Sequence, residues 1–151
     1  MLYTVLLFAH SWWRWIVLAA LLVVLVRALR GGVEPWGTQD KRWMRVLVST
    51  VDMQLLVGLA LLFLSPVTRA AFASMGAAMK DPVLRFFAVE HTTAMILAVA
   101  SIHVGAVRAR KAVTGATARK RVLMHLFIAL ILVLAAIPWP GFQYGRPLFR
   151  Y

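Results

Sequence analysis

The segment "FAHSWWRW" places His10 and Arg14 four residues apart inside a long apolar run, so the two share one helical face. Ionisable side chains in such a run are costly and mark function more often than accident. Three further histidines, His91, His103 and His125, and two carboxylates, Asp52 and Glu90, sit in other apolar runs. An imidazole in that setting can ligate a metal, relay a proton or hydrogen-bond a neighbour. A guanidinium there needs a carboxylate, a carbonyl or an anionic ligand.

The elements that must position these groups are helices long enough to cross a hydrocarbon core of about 30 Å. The periodicity predicts four of them, over residues 3–29, 42–64, 82–107 and 120–137, within one transmembrane domain spanning 1–151. Residues 67–80, "VTRAAFASMGAAMK", are too short to span and are expected to lie as a helix in the interface. The loop "RGGVEPWGTQDK" carries breakers and Asp40 to start the second helix. Asp81 and Pro82 suit the N-cap and first position of the third, and "IPWP" stops the fourth. The fold class expected is all-α, an integral membrane four-helix up-down bundle.

Composition agrees. Of 151 residues 62% are hydrophobic, and the mean hydropathy is +0.81, above the norm for soluble domains. The absence of cysteine excludes disulfides, thiolate metal sites and covalent c-type haem. The net charge of +12 falls in short loops beside apolar runs, which points to membrane orientation rather than nucleic acid. The first and third loops with their flanks hold eleven Lys and Arg, from Arg27 to Arg45 and from Arg108 to Arg121. The other side holds five: Arg69, Lys80, Arg85, Arg146 and Arg150. The expected orientation therefore puts both termini on the periplasmic side of a bacterial inner (plasma) membrane. Trp36 and Trp43 are expected at the inner interface, and Trp139, Phe142, Tyr144, Phe149 and Tyr151 at the outer one. The amino terminus lacks a positive n-region and a cleavage site, so the first run is expected to be a retained helix.

Counting along the helices gives depth. His10 and His91 both fall roughly 10–12 Å below the outer surface. In an up-down bundle the first and third helices face each other diagonally, so the two imidazoles can clamp a flat cofactor, with bis-histidine haem b the leading candidate. Each can equally be a core histidine bonded to a neighbour. His103 and His125, nearer the inner ends, form a second pair that a further haem in the inner leaflet would use. They lie on adjacent helices, and His125 can also reach headgroups. Arg14 and Asp52 both count to midplane and are expected to form a buried ion pair. Arg14 can alternatively hold a haem propionate or a quinone oxygen. Glu90 can orient the neighbouring imidazole or carry protons. Gln54 and Ser49 are expected to hydrogen-bond between helices, and Met53, Met95 and Met124 to pack. Gly58 is the one close-approach position, without GxxxG. No nucleophile–base pair, phosphate loop or HExxH motif is present, so no catalytic residue is assigned.

"HSWWRW", "DMQLLVGLALLF", "MKDPVLRFFAVEH", "IPWP" and "GRPLFR" resemble a family of small bacterial four-helix membrane proteins commonly labelled cytochrome b-like. The resemblance covers nearly the whole chain. It implies haem-linked electron transfer in the inner membrane, carried by His10, Arg14, Glu90 and His91. Some members of that family have histidine where this chain has Asp52. The expected partners are the lipid bilayer, a quinone or respiratory-chain protein, and further copies of the chain. Two other readings stay open. One is a cofactor-free accessory subunit or small transporter whose polar residues specify helix packing. The other is a membrane enzyme acting on haem or quinone.

Overall fold

The computed structural model describes residues 1–31 and 36–149. The middle of the first loop, 32–35, and the aromatic Tyr151 lie outside the described residues. Helix α1 runs Leu2–Arg30 and α2 Thr38–Leu64. Two short helices follow, α3 (Pro66–Ala73) and α4 (Met75–Ala78). Helix α5 (Pro82–Arg85) continues through a π-turn (Phe86–Glu90) into α6 (His91–Arg110), and α7 spans Gly115–Ala136.

Three spans are long and apolar enough to cross a membrane: Leu2–Arg30, Thr38–Leu64 and Pro82–Arg110. Helix α7 carries Arg119, Lys120 and Arg121 in its second turn. Its apolar stretch, Val122 to Ala136, is only about 22 Å long. Helix α1 packs on α2 and α7, and α6 packs on α7 and α2. Helices α1 and α6 are therefore diagonal. Leu21, Val24, Leu47, Ile102, Val122 and Leu126 close the core where the four meet.

Local chemistry accounts for the boundaries. Asp81 caps α5, its carboxylate accepting from the Val83 and Leu84 amides at 2.8 and 2.9 Å. Helix α2 starts earlier than 42. Gly37 is its N-cap, and Asp40, three residues on, accepts from the Gly37 amide at 3.1 Å. The same carboxylate pairs with Arg27 at 2.9 Å, tying α1 to the start of α2. At the other end of α2, Pro66 has no amide to offer the Leu62 carbonyl. The Thr68 hydroxyl donates to that carbonyl instead, at 2.6 Å. The interfacial helix expected over 67–80 is two short helices joined at Ser74. Trp36, expected at the interface, is buried in the core.

Helix α6 meets α7 closely at Gly105, where an added Cβ would lie 2.8 Å from Cβ of His125. Gly105→Leu is therefore expected to lower the thermal midpoint in detergent, at a cost of about 1–3 kcal/mol from overpacking. Gly76→Leu, in open space, is expected to leave it unchanged. Equal midpoints for the two variants would show that α6 and α7 do not pack this way.

Candidate functional site

His10 and His91 come together. Their ring centroids are 6.2 Å apart, with the planes at 70°. The equal depth counted along the chain becomes direct ring contact because α1 and α6 are diagonal and each turns its histidine inward.

Helix α6 can do so because of the π-turn that precedes it. The His91 amide donates to the Phe86 carbonyl, five residues back, and the Thr92 hydroxyl to the Phe87 carbonyl at 3.1 Å. The extra residue per turn resets the phase of everything after Glu90, a device found often at functional sites. Arg85 and Glu90 are also five apart, a spacing that faces across a π-turn but not along an α-helix. Their ion pair, 2.6 Å long and partly exposed, clips the turn. Glu90 therefore does not orient the imidazole.

A main-chain carbonyl does that instead. Nδ1–H of His91 donates to the Ala136 carbonyl at 2.8 Å. That carbonyl is free because α7 ends there: Ile137, the residue before Pro138, is extended. With Nδ1 so engaged, Nε2 carries the lone pair, the arrangement usual for a ligating histidine. The opposing ring is held differently. Gln54 donates to the main-chain carbonyl of His10 at 3.0 Å. Nδ1 of His10 and Oε1 of Gln54 are buried and have no hydrogen-bond partner. Gly58 makes room for the ring: a Cβ there would sit 3.2 Å from Cε1 of His10.

Two cavities of about 170 and 70 Å³ adjoin the pair, and both are lined by His10, His91, Gln54, Gly58, Thr92 and Met95. The larger opens toward Tyr3, Ser65, Pro138 and Arg146, and the smaller runs inward to Val51, Ala98 and Ile102. Helix ends and the segment after α7 close the first. The Arg14 guanidinium donates to the main-chain carbonyls of Leu148 and Pro147. Tyr144 stacks on Phe86 at 3.8 Å, and Arg146 lies 5.0 Å over the Phe87 ring. Arg146, counted in the sequence only for topology, thus joins Arg14 in lining the larger cavity. The aromatics expected at the outer interface contact one another: Phe142 stacks on Tyr144, and Phe149, itself exposed, packs against Trp12 and Trp15.

Two other expected pairings are replaced. Arg14 and Asp52 do not pair. Asp52 accepts from Nε2 of His103 at 2.7 Å, because its side of α2 faces α6 rather than α1. His103 and His125 do not meet. His125 faces Ser101, whose hydroxyl is 3.3 Å from Nδ1 and donates to the His125 carbonyl at 2.9 Å, while Arg108 lies 3.3 Å from Nε2. Both ring nitrogens of His125 therefore have neighbours within hydrogen-bonding distance. No group of three or more His, Asp or Glu side chains able to hold a metal ion occurs among the described residues. No family model, curated protein or solved structure matches the chain.

Nitrogen-15 spectra of histidine-labelled protein are expected to show His91 as the Nδ1–H tautomer. Glu90→Gln should leave that tautomer unchanged. A His91 protonated on Nε2 alone would contradict the bond to Ala136.

Proposed function

We propose that the chain is a membrane-embedded, b-type cytochrome-like electron-transfer protein, with a haem held between His10 and His91. The carrying observation is the ring geometry. With metal–nitrogen bonds of about 2 Å on either side, two imidazoles sharing one metal have centroids about 6 Å apart, against 6.2 Å here. The donor set supports the same reading: His91 keeps Nε2 available, and His10 has an unpartnered buried nitrogen. A flat group between the rings would extend into both adjoining cavities. Arg14 and Arg146, which both line the larger, would supply cations for propionates.

Haem, when bound, supplies one-electron chemistry. The chain's own residues hold and insulate the site. The Ala136 carbonyl fixes the rotation and tautomer of His91, Gly58 gives the His10 ring its place, and Val51, Ala98 and Ile102 close the inner side to water. The resemblance to the cytochrome b-like family fits this reading. So do a four-helix up-down bundle in a bacterial inner membrane with both termini periplasmic, and a quinone or respiratory protein as electron partner. No substrate of its own is assigned.

Protein purified from a haem-replete host is expected to show a sharp α-band after dithionite. His10→Ala and His91→Ala are each expected to lower haem occupancy at least about tenfold, and Gly58→Leu to lower it by displacing His10. His125→Ala, whose ring is engaged elsewhere, should retain the band. A wild-type protein without the band would remove the electron-transfer reading and favour polar residues that serve helix packing alone.

A further inference from the structure

A cavity of about 530 Å³ opens between α2 and α6 at the end of the molecule where the basic residues cluster. Its mouth holds Lys41, Arg45 and Arg110, with Trp36 beside them, and its walls include Val48 and Val107. The His103–Asp52 bond fixes the register of this groove. Arg45 is seven residues before Asp52, and Arg110 is seven after His103. Seven residues are two helical turns, so each arginine lies on the face of its neighbour in the bond, about 10 Å along the axis. Since α2 and α6 run antiparallel, Arg45 and Arg110 reach the same level on opposite walls, with Lys41 one turn further out.

Three cations around one opening repel each other unless an anion joins them. Among the described residues no carboxylate pairs with them: the ion pairs there are Arg27–Asp40, Arg85–Glu90 and His103–Asp52, and none involves Lys41, Arg45 or Arg110. Below the cations the walls are apolar for two turns, broken by the exposed Ser49 hydroxyl. A phosphate at the mouth followed by apolar chain matches that order of surfaces.

We propose that the α2–α6 groove binds the headgroup of an anionic phospholipid. The phosphate sits among Lys41, Arg45 and Arg110, the glycerol esters lie near Ser49, and one acyl chain runs along Val48 and Val107 toward His103. Basic pockets between spanning helices are established sites for such headgroups. This site is independent of the haem reading, because it uses the opposite end of the molecule and different faces of α2 and α6.

Native mass spectrometry of the full-length protein from mixed micelles tests it, with phosphatidylglycerol, phosphatidylcholine and inorganic phosphate as probes. The expected result is one retained phosphatidylglycerol per chain, preferred about tenfold over phosphatidylcholine, with no competition from millimolar phosphate. The triple variant K41Q/R45Q/R110Q should lose that preference. R42Q/K111Q/K120Q, which removes equal charge at the same end outside the groove, should keep it. If the first triple does not fold, V107W, which fills the groove without changing charge, should abolish retention instead. Equal loss in both triples would mean diffuse attraction and overturn the site. Displacement by phosphate would overturn the lipid as ligand. A lipid-free dimer cross-linked through Val107 would assign the groove to a second copy and overturn it too.

Discussion

The site depends on one constraint: a polar group inside an apolar helical body must find a partner, and a helix ordinarily consumes its own carbonyls. Proline lifts that restriction. Pro138 turns Ile137 out of the helix and leaves the Ala136 carbonyl without an in-helix donor, and Nδ1 of His91 takes it at 2.8 Å. Pro66 does the same for the Leu62 carbonyl, which the Thr68 hydroxyl takes at 2.6 Å. Both prolines sit at the same end of the molecule as the histidine pair. The "SP" and "PWP" that end helices in the sequence therefore also release acceptors, and one of those acceptors sets which nitrogen of His91 faces inward.

A freed carbonyl is useful only if the imidazole is aimed at it, and aim is a question of helical phase. The π-turn at Phe86–Glu90 inserts the residue that turns His91 toward both Ala136 and His10. The chain holds this turn with interactions suited to it alone. Arg85 and Glu90 pair across five residues, and Thr92 reaches back five to Phe87. Phe86, the first residue of the turn, is buried under Tyr144 from the segment after α7. The segment that covers the cavity therefore also braces the backbone that builds it.

These facts explain what the sequence could and could not show. Helix existence, the Asp81–Pro82 start, the proline stops and the common depth of His10 and His91 follow from counting, because rise per residue is nearly constant. Direction around the axis does not follow. Arg14 and Asp52 share a level, yet α2 turns Asp52 toward α6, where His103 meets it. Glu90 is adjacent to His91 in sequence and points away from it, engaged by Arg85. Nothing in "FFAVE" announces a π-turn, although the Arg85–Glu90 spacing of five is its trace. Arg146 could not be placed because it follows Pro138 and Pro140, beyond which periodicity carries no information. Gly105 also meets a neighbouring helix closely, a contact that depends on which way its side of α6 faces and not on depth.

Helix α2 joins the two halves of the molecule by presenting different faces at different levels. Gln54 and Gly58, one turn apart, serve the His10 side. Asp52, about 200° from Gln54 around the axis, serves α6. On α6 the same division falls between His91 and His103, twelve residues or about 18 Å apart. Between the levels lie Val51, Ala98 and Ile102, all buried and apolar. That layer separates the imidazole pair and its adjoining cavities from a half-exposed His–Asp pair, whose side chains keep 44% and 45% of their accessible surface. Polar groups in direct contact would compete for the same hydrogen-bond partners. Held apart by a dry layer, each can be satisfied by its own neighbours, which is how so few polar residues are accommodated in so apolar a chain.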